Sequence, residues 1–242
     1  MATVTFPYGK QTLSCHIPDQ SLLGVLRSEI HSYRATADGR TLVEQAMENP
    51  IGSPKLEELV KNKENIVIIA SDHPRPVPSK VIMPPMLAAI RRGNPHANIT
   101  ILIATGCHRG TTVEELTDKF GAEIVANEKI VIHDCLAEDT LVSIGTLPSG
   151  GELRINRLAA EADLLLAEGF IEPHLFAGFS GGRKSVLPGI AARDSVMANH
   201  CAEFIAHPSA RTGILQDNPV HADMLWAAKT AKLAFICNVV IN

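Results

Sequence analysis

The sequence predicts an α/β protein with a mainly parallel, Rossmann-like sheet, helices on both faces and small β-hairpin additions. Short apolar runs rich in Ile, Val and Leu alternate with longer segments of helical pattern, as is typical of a parallel sheet covered by helices. Hydrophobic residues make up 45% of the 242 residues and aromatic residues only 4%. This composition favours an aliphatic core built around buried strands.

The first residues predict a β-hairpin, in which VTFPYG and QTLSCHIP pair across a tight turn at Gly9-Lys10. Two short helical patterns follow within residues 40–61. A second hairpin is predicted from TLVSIGTL and ELRINR, which a Pro-Ser-Gly-Gly turn separates. The core strands are predicted from apolar runs at residues 65–71, 98–105, 129–134, 162–170 and 233–242.

The segments between these strands carry helical patterns. The first is expected to be interrupted at Pro84-Pro85, since proline lacks the amide that a helix needs. Gly121 is expected to end the second helix, and Asn218 followed by Pro219 is expected to begin the last. The predicted helices span residues 79–93, 111–121, 192–205 and 218–232.

Composition also limits the class of protein. The net charge is −4 and no basic block occurs, so nucleic acid is not an expected partner. Five scattered cysteines include no CxxC pair, which argues against a structural zinc site. The first twenty residues lack the pattern of a signal peptide, and no apolar stretch is as long as a membrane span. We therefore expect a soluble, reduced, cytoplasmic protein.

Polar residues of catalytic type follow several of the predicted strands, and parallel sheets bind ligands at the carboxyl ends of their strands. Asp72 and Arg75 stand in the proline-stiffened SDHPRPVP. An arginine there suits a carboxylate or phosphate, although a surface ion pair is an alternative. His108 lies between two glycines in TGCHRG, where it could act as a general base or cap a helix. The four such segments are residues 71–76, 105–110, 133–135 and 168–184.

The last of these segments, EGFIEPHLFAGFSGGRKSVLPG, is the most informative. Glu168, Glu172 and His174 cluster at its start, and an open glycine turn precedes Lys184. A loop of this length within a compact domain is usually functional, although a surface lysine in a flexible loop is an alternative. GFSGGRKS resembles a phosphate-binding P-loop, but Arg183 replaces its second glycine and Pro-Gly soon follows the lysine, so we do not expect a P-loop.

The next segment, ANHCAEFIAHP, places His200 and His207 seven residues apart. This spacing puts both on one face if a single helix continues through them. One of the two could ligate a metal, whereas a lone helical histidine is more often structural.

Taken together, SDHPRPVPS, ATGCHRGTTVEEL, HDC, EGFIEPHLFAGFSGGRKSVLPGIA and NHCAEF resemble the nickel-dependent lactate racemase family over almost the whole chain. The resemblance implies a nickel-pincer nucleotide, a pyridinium-3,5-bisthiocarboxylic acid mononucleotide carrying nickel, made by dedicated cofactor-synthesis proteins. It implies an isomerase that racemises or epimerises a small 2-hydroxy acid by proton-coupled hydride transfer to and from this cofactor.

The resemblance also implies a role for each matching residue. Lys184 would hold the cofactor covalently through a thioamide, and His200 would ligate the nickel. His108 and His174 would act as acid and base on opposite sides of the substrate. Arg75 would bind the substrate carboxylate and contribute to the cofactor pocket. Asp72 would also belong to that pocket.

Two features depart from the family pattern. Pro74 stands where a threonine is usual, which removes a hydroxyl and a backbone donor from the pocket. The chain also ends at Asn242, where the family has a further C-terminal domain, so residues 1–242 are expected to form the N-terminal cofactor-binding and catalytic domain alone. Two other readings of the residues are a metal hydrolase ligated by His108, His174 and His200, and a non-catalytic nucleotide-binding module.

Overall fold

A computed structural model of the chain describes residues 1–9, 11–26 and 28–241. It divides into two units, residues 1–36 and 37–241. The first unit contains the predicted hairpin, in which β1 (Ala2–Tyr8) pairs antiparallel with β2 (Gln11–Ile17). The predicted turn at Gly9-Lys10 includes Lys10, which lies outside the described residues. Two 3-10 turns, at Asp19–Ser21 and Glu29–Ser32, complete this unit.

The second unit alternates strands and helices, as the apolar runs predict. Its strands are β3 (Asn65–Ser71), β4 (Asn98–Ala104), β5 (Lys129–Ile132), β6 (Leu141–Thr146), β7 (Glu152–Asn156), β8 (Leu164–Phe170), β9 (Pro173–His174), β10 (Gly178–Phe179) and β11 (Leu233–Val239). Its helices are α1 (Gly39–Glu48), α2 (Leu56–Leu59), α3 (Ser79–Gly93), α4 (Val113–Phe120), α5 (Ala122–Asn127), α6 (Arg157–Ala160), α7 (Arg193–Asn199), α8 (Ala202–Ile205) and α9 (Pro219–Thr230).

Five strands form one parallel sheet in the order β11-β8-β3-β4-β5, which confirms the predicted fold class. Alternate residues of each strand point to opposite faces. In β3, Ile66 and Ile68 therefore pack in a core with α1 to α5, while Val67 and Ile69 pack in a second core with α6, α7 and α9. The second predicted hairpin forms as β6 and β7, and its apolar residues belong to the second core.

The predicted interruption of α3 is wrong, because the helix runs continuously through Pro84 and Pro85. Two prolines inside a helix remove two backbone hydrogen bonds, at a cost of about 3 kcal/mol or more each. The same helix buries Ile82, Met83, Met86 and Ile90 completely and Leu87 and Ala89 almost completely, and each large apolar side chain contributes about 1.5–3 kcal/mol. Core packing therefore outweighs the local preference against this helix.

The expectation of one helix through residues 192–205 is also wrong. α7 ends at Asn199, and His200 is its C-cap residue. The backbone of Cys201 is extended, and α8 begins only after it, so no single helix carries both His200 and His207. The buried Asn199 side chain donates to the Val220 carbonyl of α9 at 3.2 Å, and this tertiary contact holds the end of α7.

Gly121 ends α4 and Asn218 begins α9, as predicted. Thr112 and Glu115 make a capping box at the start of α4, and Gly121 ends that helix with a positive φ of 90°. Asn218 caps α9, with proline at its first turn. Within the described ranges, every helix is too short or too polar to cross a bilayer.

Candidate functional site

A cavity of about 320 Å³ opens at the carboxyl ends of β3, β4 and β8. Parallel strands bring the loops that follow them to one edge of the sheet, so residues far apart in sequence meet there. All the side chains singled out as cofactor, substrate or acid-base candidates line this cavity. They are Asp72, Arg75, His108, His174, Lys184 and His200.

Asp72 and His108 form a hydrogen-bonded pair at one side of the cavity. Asp72 is the first residue after β3 and only 2% exposed, while His108 follows the neighbouring strand. The Asp72 Oδ2 and His108 Nδ1 atoms lie 2.6 Å apart. A carboxylate only accepts hydrogen bonds, so Nδ1 carries a proton, and in the neutral ring Nε2 has the free lone pair. The pair therefore presents a base at Nε2.

Arg75 lies at the exposed centre of the proline-rich loop. Its backbone amide donates to the Asp72 carbonyl at 3.2 Å, and its carbonyl accepts a hydrogen bond from Lys119 Nζ at 3.0 Å. Among the described residues, no carboxylate forms an ion pair with its guanidinium, which leaves the surface ion-pair alternative without support. The guanidinium therefore remains available to bind an anion at the cavity mouth.

Lys184 stands in a single 3-10 turn, Gly182–Ser185, at the cavity wall. Burial, with the charges of Arg183 and Arg75, lowers the pKa of Lys184 to about 8. No described carboxylate pairs with its Nζ. A far larger share of this amine is thus uncharged near neutral pH than for an ordinary lysine, and the uncharged amine is the form that makes covalent bonds.

Arg183 stands where a P-loop has its second glycine. Its side chain does not line the cavity and instead makes hydrogen bonds that stabilise the loop. Its guanidinium donates to the carbonyls of Ala177 at 2.7 Å and Phe179 at 2.9 Å. Its Nε donates to His221 Nδ1 of α9 at 2.9 Å. These contacts give the arginine a structural role that the sequence pattern did not indicate.

His174 and His200 face the cavity on either side of Phe176. The Phe176 ring makes edge-to-face contacts with both imidazoles, at centroid distances of 4.7 Å and 5.2 Å. The Ala177 amide donates to His174 Nδ1 at 3.3 Å, which directs the proton of this neutral ring to Nε2. Burial, with the nearby Lys184 and Arg75 charges, lowers the pKa of His174 to about 4.

Two buried polar atoms around the cavity lack a hydrogen-bond partner. They are His200 Nδ1 and Glu168 Oε2. Unpaired buried polar atoms are costly and usually mark a missing ligand, ion or water. A free imidazole nitrogen beside an unpaired lysine amine suits a group that carries both a metal and a reactive acyl carbon, so the donor set fits the nickel-pincer nucleotide.

The structure departs from the expected site at residues 133–135. His133 is 2% exposed, its Nε2 lies 3.1 Å from the Ala191 carbonyl oxygen, and it does not line the cavity. Conversely, the buried Ser79 and Glu168 lie beneath the cavity and hydrogen-bond at 2.6 Å. Only the position of Glu168 in a loop with other candidates pointed to it, and nothing in the sequence indicated Ser79 or Lys119.

The geometry supports neither the metal hydrolase nor the non-catalytic nucleotide-binding module. Within the described part of the chain, no group of three or more His, Cys, Asp or Glu side chains could hold a metal ion, so the expected ligands of a metal hydrolase are not assembled. A P-loop requires a strand directly before its first glycine and a helix from its lysine. Here β8 ends at Phe170 and the turn containing Lys184 ends at Ser185.

The chain is similar in sequence to known lactate racemases. The sequence pattern of the lactate racemase N-terminal domain family matches residues 8–213. The lactate racemases of Thermoanaerobacterium thermosaccharolyticum and Lactiplantibacillus plantarum are 57% and 54% identical over 242 residues. Each match covers 100% of this chain but 57% of the relative, so the chain spans little more than half the length of these curated relatives.

Solved structures show the same fold. The lactate racemase apoprotein from Thermoanaerobacterium thermosaccharolyticum matches with a TM-score of 0.90 and 56% identity, covering 100% of this chain and 56% of that one. A Thermotoga maritima protein matches with a TM-score of 0.67 and 22% identity, over 84% of this chain and 50% of that one. The second likeness concerns the fold alone.

Proposed function

Because the chain belongs to the lactate racemase N-terminal domain family, we propose that it is the cofactor-binding and catalytic part of a racemase of lactate or a related 2-hydroxy acid. The observation that carries the proposal is the cavity, where an aspartate-oriented histidine, a second histidine, an unpaired arginine and a half-buried lysine of lowered pKa meet. The two curated relatives that match the whole chain are lactate racemases.

The cofactor in this proposal is a nickel-pincer nucleotide. When bound, it would accept a hydride from the substrate carbon and return it. Lys184 would tether it through its amine, and His200 would ligate the nickel through its ring. The lowered pKa of Lys184 and the unpaired Nδ1 of His200 support these two roles.

Two histidines would handle the proton of the substrate hydroxyl group. His108 Nε2, with its ring oriented by Asp72, is ready to accept a proton, whereas His174 carries its proton on Nε2. Racemisation needs a proton acceptor for one enantiomer and a donor for the other, with the roles exchanged in the reverse direction. The position of both rings at the cavity wall supports this assignment.

Arg75 would bind the substrate carboxylate. Its guanidinium has no carboxylate partner among the described residues, and its backbone is anchored by Lys119. A bidentate arginine–carboxylate pair fixes an anionic substrate in orientation as well as in place, and orientation is a large part of the rate advantage of an enzyme.

The test is intact mass spectrometry of the protein made in a host that synthesises the nickel-pincer nucleotide. We expect wild type and Lys80→Ala to carry the cofactor adduct and to racemise lactate, because Lys80 is an exposed lysine of α3. Lys184→Ala should carry no adduct. The same adduct mass on Lys184→Ala would exclude the tether, and adduct-bearing wild type that racemises none of a panel of 2-hydroxy acids would exclude the reaction.

A further inference from the structure

We infer that Glu168 is a positioning residue whose buried carboxyl group holds both ends of the loop that carries Asp72 and Arg75. The catalytic consequence rests on the proposed function, whereas the structural part can be tested without it. Glu168 lies in β8, an interior strand of the sheet, is 1% exposed and borders the cavity. A carboxyl group in the middle of a parallel sheet is costly to bury unless it has partners.

The partners of Glu168 come from the two ends of the loop. The Ser79 hydroxyl, in the first turn of α3, donates to Glu168 Oε1 at 2.6 Å. The Ser71 backbone, at the end of β3, lies close enough to the same carboxyl group to favour its ionised form. The backbone pairing between β3 and β8 extends only to Ile69 and Ala167. The Glu168 side chain therefore continues the link between the two strands beyond the last backbone pair.

The loop depends on such side-chain contacts because its backbone can offer few of its own. Residues 74, 76 and 78 are prolines, which have no amide to donate. Its internal backbone hydrogen bonds run from the Arg75 amide to the Asp72 carbonyl at 3.2 Å and from the Ser79 amide to the Val77 carbonyl at 2.8 Å. Removing a side-chain anchor should thus release the loop without disturbing the sheet beneath it.

Lys119 provides a third anchor at the centre of the loop. Its Nζ donates to the Arg75 carbonyl, and its charge lies near the carboxyl groups of Asp72 and Glu168. Burial lowers the pKa of Lys119 and raises the pKa of Glu168. Ser71, Ser79 and Lys119 therefore hold the start, end and middle of the loop, and Glu168 connects them.

The first experiment measures hydrogen exchange in the 242-residue chain without cofactor. We expect Ser79→Ala to accelerate exchange of the amides at residues 73, 75, 77 and 79 by about tenfold, since one buried anchor is lost. Ser79→Thr keeps the hydroxyl and should exchange like wild type. The control Glu172→Gln changes an exposed carboxylate of the neighbouring loop and should leave these amides unchanged.

The second experiment measures lactate racemisation by cofactor-loaded protein. Ser79→Ala should raise KM by about five- to tenfold with a smaller change in kcat, because a misplaced Arg75 weakens carboxylate binding. In an Arg75→Ala background, Ser79→Ala should raise KM no further. If Ser79→Ala instead caused a general loss of structure, it would raise KM by the same factor in wild type and in the Arg75→Ala background.

The possible results separate this inference from the proposed function. Unchanged loop exchange in Ser79→Ala, or equal KM effects with and without Arg75, would overturn the positioning role. Glu168→Leu removes both acceptor oxygens and should reproduce the Ser79→Ala exchange. If Glu168→Leu does not fold, the comparison of Ser79→Ala with Ser79→Thr still tests the positioning role. Loop release in Ser79→Ala, together with wild type that gains no cofactor adduct in a host that makes the cofactor, would support the anchor while contradicting the proposed function.

Discussion

Asp72 and His108 join the ends of two neighbouring parallel strands through a 2.6 Å hydrogen bond. The register pairs Ser71 with Ala104, so the residues that follow these two positions emerge side by side. Asp72 is buried and His108 is partly exposed towards the cavity. This is the arrangement in which a carboxylate sets the tautomer and orientation of a catalytic imidazole.

Replacement of Asp72 by Asn should lower kcat far more than it raises KM. An amide no longer selects the tautomer with a free Nε2, and general acid-base catalysis contributes about 10²- to 10⁴-fold to rates. We expect a loss of about 10²-fold or more in lactate racemisation by the cofactor-loaded enzyme. Asp134→Asn makes the same chemical change at an exposed strand end that does not border the cavity, and should retain wild-type kcat. Equal losses in the two variants would contradict a role for the pair.

Replacement of Arg75 by Lys should raise KM for lactate. Lysine keeps the charge but loses the planar fork that binds a carboxylate through two hydrogen bonds. Loss of one charged hydrogen bond corresponds to a rise of about tenfold or more. Arg109→Lys is the matched control, because Arg109 pairs with Glu115 on the surface. An unchanged KM in Arg75→Lys would show that the substrate carboxylate binds elsewhere.

The histidine pKa values predict how stability depends on pH. Unfolded histidine binds a proton near pH 6.5, whereas His174 in the fold does so near pH 4. Between these values the unfolded chain binds more protons, so the contribution is fully present above pH 6.5 and is lost as the pH falls towards 4. We expect the urea midpoint to decrease from pH 7 to pH 5.

A His174→Gln variant should show a shallower decrease over the same range. The decrease should not vanish, because burial also lowers the pKa of His133 and of His200. His174 is half-buried, so its own effect is modest. An NMR titration of the ring should give a midpoint well below 6. A midpoint near 6.5 would show that the His174 ring is more accessible to water than the structure indicates.

Replacement of Gly181 by Ala should destabilise the chain more than the same change at Gly150. Both glycines have positive φ, of 73° and 92°, and this alone costs a non-glycine residue about 1–2 kcal/mol. A Cβ at Gly181 would also lie 2.8 Å from the Phe170 carbonyl oxygen, whereas a Cβ at Gly150 meets no atom within 4 Å. Denaturant unfolding should show an additional loss of about 1–3 kcal/mol for Gly181→Ala. Equal losses would exclude the close approach.

Much of the fold could be predicted because its signals are local. β3 spans the predicted residues 65–71, and the termini of α4 and α9 form where Thr112, Gly121 and Asn218 occur. The errors arose where distant contacts prevail. Packing in the first core keeps α3 helical through its two prolines, and the contact of Asn199 with α9 ends α7 before Cys201.

The candidate site likewise has features that the sequence could predict and features that it could not. Residue type and position in a segment after a strand were enough to single out five of the six candidates that border the cavity, because the end of a parallel strand determines the edge at which a loop emerges. His200 follows a helix and was assigned its role by the family resemblance. Their roles remain predictions until the cofactor adduct and the kinetics are measured. The supporting contacts of Arg183, Ser79 and Lys119 could not be foreseen, since each joins segments with no regular spacing in sequence.

By itself, the sequence determined the class of fold, the strands that form its sheet and the side chains that meet at one edge, because period, turn residues and strand order are local properties. Only the tertiary structure decided which nitrogen of each imidazole carries the proton, which lysine has a lowered pKa, and which groups anchor the proline-rich loop. Those properties depend on desolvation and on distances of a few ångströms between remote segments, and a linear pattern contains neither.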